Sequence, residues 1–188
     1  MVNIPDDLIR KYAKLLEKQK QFISAEKAQH DFLAYTKSIW LEFIEGRHHK
    51  IMADKFNQIA TGKIKRLIVN MPPRHTKSEF ASYLLPSWLM GKNPKLKIIQ
   101  ATHTGELAVR FGRKVRNLMA QEDYKRIFPN AKLRPDSLAA GRWETDKGGE
   151  YFASGVGGAI TGRGADLMII DDPHSEQDAL SPTALESA

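Results

Sequence analysis

Two short stretches hold the residue types needed to handle a phosphate. The first, "RLIVNMPPRHTKSEFAS", leads from an apolar run through two prolines to Lys77 and Ser78, where a helical pattern opens. The second, "ADLMIIDDP", ends an apolar run on Asp171 and Asp172. In a phosphate-binding loop, backbone N–H groups and the N-terminus of the next helix face the phosphates. A lysine neutralises β/γ charge and a Ser/Thr hydroxyl ligates Mg²⁺. Lys77 and Ser78 match those roles in type and order, and Arg74 adds a guanidinium suited to forking onto a phosphate. The ion also needs an acidic side chain at the end of a nearby buried strand. Asp171 and Asp172 stand at such a place, and two adjacent carboxylates are costly to bury there without a cation or partner.

Each stretch has a plainer reading. The pattern G-x-x-x-x-G-K-[ST] calls for glycine where this chain has Met71 and Thr76, so Lys77-Ser78 can be the start of a helix after a Pro-Pro turn. The aspartates can cap the turn before Pro173. Both stretches together in one chain are much less expected by chance.

The elements around them read as follows. Residues 6–20 form an amphipathic pattern, with Leu8, Ile9, Tyr12, Leu15 and Leu16 on one face. Ser24 is a candidate N-cap for a second helix carrying Phe32, Tyr35, Ile39, Trp40 and Phe43. A third helix spans about 49–60 and stops at Thr61-Gly62. "KRLIVN" (65–70) and "LKIIQAT" (96–102) read as strands buried on both faces. Between them lies a helix from Lys77 in which Pro86 predicts a kink or early end and Gly91 a stop. Helices at 104–120 and 122–128, a hairpin around Gly148-Gly149 and the apolar strand 165–173 follow. Strand–helix–strand with a further buried strand predicts an α/β fold with a mostly parallel sheet flanked by helices, after a helical segment at 1–62.

Composition sets the outer limits. The 188 residues suffice for one domain, or one with an appendage. No apolar run approaches bilayer-spanning length, and "MVNIPDDLIRKYAK" lacks the apolar core of a signal peptide. There is no cysteine, which excludes disulfides and thiolate metal sites. The six histidines do not fall at paired metal-ligand spacings, and His48-His49 read as surface or capping residues. A net charge of +7 suits a polyanionic partner such as nucleic acid.

The runs "GRHHKIMADKFNQIATGKIKRLIVNMPPRHTKSEFAS" and "GRGADLMIIDDPHSEQDA" resemble the ATPase domain of the large terminase subunit of tailed bacteriophages. That protein is the motor that packs double-stranded DNA into a procapsid. The resemblance covers roughly residues 30 to 188. The family's loop also begins Pro-Pro-Arg in place of the first glycine, while relatives commonly have glycine where Thr76 stands. If position 76 requires positive φ, threonine is strained there by about 1 kcal/mol or more.

The resemblance implies a P-loop NTPase fold, ATP and Mg²⁺ as ligands, and residue roles. Pro73, Arg74, His75, Thr76, Lys77 and Ser78 form the phosphate loop, with Ser78 and Asp171 holding Mg²⁺. Asp172 takes the place of a catalytic glutamate that orients or deprotonates the attacking water, with Glu176 in reserve. Arg163, on the Gly-rich loop "TGRGAD", is an arginine that in a ring reaches the neighbouring subunit's nucleotide; a turn arginine held by its glycines is the alternative. Arg110, Arg113 and Lys114 share one helix face and suit contact with a DNA backbone, or form a solvated basic face. Trp40, Trp88 and Trp143 read as core or subunit contacts.

The implied partners are double-stranded DNA, the portal protein, the small terminase subunit and further copies in a homo-oligomeric ring, in the host cytoplasm and without a membrane. The family's C-terminal nuclease domain has no counterpart in "SPTALESA", so residues 63–188 are expected to be an incomplete, truncated ATPase core. A helicase-like DNA-dependent ATPase and a non-catalytic remnant that binds nucleotide or DNA are the other readings.

Overall fold

The computed structural model describes residues 6–158, 160 and 162–175, so the reserve acid Glu176 lies outside the described residues. Helices α1 (Asp6–His30), α2 (Phe32–Ile39) and α3 (Arg47–Ala60) come first. A π-helix (Glu79–Leu84) runs into α4 (Leu85–Lys92), then strand β1 (Lys97–Thr102), α5 (Gly105–Met119) and α6 (Glu122–Ile127). Strands β2 (Leu133–Ala139), β3 (Arg142–Thr145), β4 (Glu150–Gly155) and β5 (Leu167–Asp171) complete the order.

The first helix is one continuous rod of 25 residues, and Ser24 lies inside it. The break comes instead at Asp31, whose Oδ1 accepts from the Ala34 N–H at 2.7 Å and caps α2. Its other oxygen accepts from Asn57 of α3 at 2.9 Å, so one carboxylate fixes both the cap and the docking of two helices. The predicted apolar face of α1 is left more than half exposed at Tyr12, Leu15 and Leu16. Packing begins only at Ala25 and Ala28.

The core joins early and late parts of the chain. Phe32 is fully buried and meets Tyr35, Phe56, Phe80 and Trp88 with ring centroids 5.0–6.3 Å apart. Trp88 donates from Nε1 to the Ala28 carbonyl, and Trp143 to that of Gly112. Trp88 and Trp143 are core residues, and Trp40 packs on the core from its margin. Gly112 is needed for this: a Cβ there would stand 2.6 Å from the Ala140 carbonyl oxygen.

The sheet has five strands in the order β2-β3-β4-β1-β5. It is mixed rather than mostly parallel. Strand β1 pairs in parallel with β4 and β5, while β2–β3 and β3–β4 are antiparallel. The physical reason is the tight return at Gly148 (φ 85°), which joins neighbours as a hairpin and forces opposite directions. The β4–β1–β5 part puts Gly155, Thr102 and Asp171 in register at one edge.

Two predicted strands differ. Residues 65–70 form no ladder: Leu67 and Val69 pack inward, Ile68 is 85% exposed, and a groove of about 610 Å³ separates the segment from β5. Strand β5 is buried on one face only, because it ends the sheet and leaves Met168 and Ile170 half exposed. Pro86 does not end the helical run. It sits at the start of α4, after a π-helix in which the Leu85 N–H reaches back to the Phe80 carbonyl. Among the described residues no helix is long and apolar enough to cross a membrane.

Candidate functional site

Lys77 opens the first turn after the Pro-Pro loop and reaches the end of β5. Its Nζ donates to Asp172 Oδ1 at 2.6 Å and stands 3.6 Å from Asp171 Oδ1. The two stretches singled out in the sequence therefore meet. The acids differ in setting: the Asp171 side chain is 7% exposed, that of Asp172 61%. Strand β5 buries Asp171 against the helix, where Ser82 Oγ donates to its Oδ2 at 2.8 Å. Desolvation pulls the Lys77 ammonium down, but its hydrogen bond to Asp172 and both carboxylate charges outweigh it and hold its proton affinity above the ordinary value.

The loop forms a cleft of about 420 Å³ lined by residues 71–79 and by Asp172. Every position assigned to phosphate binding, Pro73 through Ser78, is on that lining. Asp171 is not; it faces the apolar groove beside β5 with Lys77. Among the described residues, three non-glycine residues have positive φ: Arg74 (63°), Thr76 (63°) and Asp172 (45°). All three line this cleft, which concentrates backbone strain at one place. Thr76 thus adopts the left-handed conformation in which glycine is at ease, at a cost of roughly 1–2 kcal/mol.

A residue that sequence reasoning placed on the surface or at a cap holds this strained loop. His49 is buried, and its Nε2 lies 2.7 Å from the Thr76 hydroxyl. Its Nδ1 accepts from the Gly46 N–H at 2.9 Å, so the capping half of the expectation is met. The spacing holds a signal for its burial, since His49 shares the i, i+3, i+4, i+7 face of α3 with buried Met52, Ala53 and Phe56. Its partner, 27 positions away, has no local signal.

The remaining candidates lie elsewhere. Arg163 is spread over the Phe152 ring at 3.9 Å and pairs with Glu150 at 3.2 Å. Glu150 begins β4 and Phe152 is two residues on, so this guanidinium lies along the first half of the strand rather than at Gly155, the end that borders Asp171. Lys114 is taken up by Glu79, with both carboxylate oxygens within 2.8 Å, and lies over the Tyr83 ring. Arg110 and Arg113 are exposed on the same helix. Lys114 is therefore part of the wall behind the loop rather than a free cation.

Lys77 and the two aspartates sum to one net negative charge. Arg74 on the same lining offsets that charge, and a cation at the acids, or withdrawal of Lys77 from Asp172, would make the cleft more receptive to an anion. The available donors, carboxylate and hydroxyl oxygens, suit a hard cation such as Mg²⁺, which takes one or two carboxylates and completes its shell with phosphates and water. Among the described residues no group of three or more His, Asp or Glu side chains could hold a metal alone. No protein-family model matches the chain. No curated protein matches it either.

Proposed function

We propose that this chain is a nucleotide-hydrolysing motor domain of the terminase kind, acting on ATP. The observation that carries the proposal is the meeting of Lys77 with Asp171 and Asp172 at the edge where the parallel strands end. Ligands of α/β sheets bind outside the carboxyl ends of parallel strands. The loop supplies backbone N–H groups, Arg74 and Lys77 for the triphosphate. Ser78 and Asp171 would hold Mg²⁺, which supplies charge neutralisation on the phosphates. Asp172 is the more exposed of the two acids on the cleft, Glu79 being taken up by Lys114, and is the one suited to receive a proton from water. Drawing Lys77 toward the phosphates frees Asp172 for that role. By the sequence resemblance, the fold is of the P-loop NTPase type, and the working assembly is a ring on double-stranded DNA with a portal protein and a small terminase subunit, in the host cytoplasm.

A second reading, binding without hydrolysis, is favoured by one contact: Asp172 is held at 2.6 Å by the lysine, and its short side chain has little reach beyond it. The two readings separate in one experiment. Binding of a fluorescent ATP analogue with Mg²⁺ and release of phosphate are measured on the 188-residue chain and on Lys77→Ala. Binding that vanishes in the variant, with phosphate release in the parent, supports the motor; binding without release supports the second reading. Equal affinity of parent and variant removes the phosphate loop from both.

A further inference from the structure

We propose that His49 is a positioning residue for the phosphate loop, holding the left-handed turn at Thr76 through a directed relay of hydrogen bonds. The inference rests on the nucleotide reading of this loop for its functional meaning, though not for its geometry.

The direction of the relay follows from donors and acceptors. The Gly46 N–H can only donate, so Nδ1 of His49, 2.9 Å away, accepts. A neutral ring then carries its proton on Nε2 and donates it to Thr76 Oγ1 at 2.7 Å. That hydroxyl spends its own proton on the His75 carbonyl at 2.6 Å. Each donor thus has one acceptor, from the N-terminus of α3 to the residue before Lys77.

The ring cannot swing out of this arrangement. It stacks on Phe80 at 4.8 Å and 29°, meets the Phe43 edge at 4.7 Å and is 5% exposed. Neighbouring titratable groups are His48, with its ring centroid at 3.8 Å, His75 beyond it, and Glu45. Burial and His48 both disfavour the imidazolium, which keeps the ring in the neutral form the relay needs.

A histidine that merely filled the core would have no reason to meet a strained loop residue. Here the contact explains why threonine stands at a position whose backbone favours glycine. Glycine would relax φ but would lack the hydroxyl, leaving the buried Nε2–H without an acceptor. Holding Thr76 fixes the peptide that precedes Lys77, and so the direction in which the amine leaves the loop.

The test separates the two halves of the ring. In His49→Asn the amide reaches only as far as Nδ1, so the Gly46 interaction can persist while the link to Thr76 is cut. In His49→Gln the amide extends to the Nε2 position and can donate to Thr76. Thr76→Val keeps the shape and the φ strain but removes the hydroxyl. Two readouts are taken on the full chain: the rate of tryptic cleavage after exposed Arg74, which needs no nucleotide, and the affinity for a fluorescent ATP analogue. His49→Asn and Thr76→Val should each speed cleavage by about tenfold and weaken nucleotide binding by a similar factor, the effect of one hydrogen bond. The double variant should show no further change, and His49→Gln should recover most of the protection. Cleavage of His49→Asn at the parent rate, or effects of the two changes that simply add, would overturn the proposal. A parent chain that binds no nucleotide but shows the expected cleavage pattern removes the nucleotide reading and leaves the relay standing.

Discussion

Ser82, one helical turn beyond Ser78, is the hydroxyl that touches the acid: its Oγ donates to Asp171 Oδ2 at 2.8 Å, both groups being buried. Ser78 makes no side-chain capping bond and faces the cleft. The two serines should therefore separate in experiment. Ser82→Ala strips a hydrogen bond from a buried carboxylate and should cost roughly 1.5–3 kcal/mol of stability in urea unfolding. Ser78→Ala should change stability by less than about 0.5 kcal/mol yet weaken Mg²⁺-dependent nucleotide binding.

The pH dependence of stability should carry the mark of His49. Burial and His48 lower its proton affinity from the ordinary 6.5, with Glu45 opposing them. The unfolded chain then takes up this proton before the folded one does, so acid favours unfolding. The contribution is complete above about pH 6.5 and is lost as pH falls through the lowered folded value. A urea midpoint that falls below about pH 6.5 in the parent, and less steeply in His49→Gln, is the expected result.

Phe32 tests whether the helices before residue 62 and the loop region are one packing unit. Its ring lies against Phe56 of α3, Phe80 of the π-helix and Trp88 of α4. Phe32→Ala should cost roughly 3–5 kcal/mol. Thermal unfolding should stay a single transition at a lower temperature, since the cluster spans both parts.

DNA binding, if carried by α5, should depend on Arg110 and Arg113 and not on Lys114. Each phosphate contact contributes about 0.9 to the slope of log affinity against log salt. Replacing both arginines by alanine should lower the slope by roughly 1.8. Lys114→Ala should leave it unchanged, because that amine is already paired with Glu79. Fluorescence anisotropy over a salt series measures both.

Much of the architecture was legible because apolar runs and caps act locally. The helix expected over 104–120 forms as α5, and the β3–β4 hairpin turns at Gly148. Lys77 and Asp171 could be paired on chemistry alone, since an amine and a strand-end carboxylate complete each other. Strand β2 has no such signal: Pro135, Asp136 and Ser137 are poor strand residues, tolerated because the strand is at the sheet margin, with Pro135 and Asp136 exposed and Ser137 partly so. Residues 65–70 have strand chemistry but no ladder partner, and pairing is a property of two segments. The burial of His49 is legible from its place on the stripe with Met52, Ala53 and Phe56; its contact with Thr76 is not, because tertiary packing brings that residue to it.

The position of β5 has a mechanical consequence. It is held by five rungs to β1 and has a groove on its other side. The carboxylates ride at the tip of a cantilever anchored along one flank. Among the described residues no strand pairs along its other flank. The tip is steadied by Ser82 on the Asp171 side chain and by the His103 N–H on the Asp172 carbonyl, so a segment laid along that flank would stiffen the acids without touching the loop.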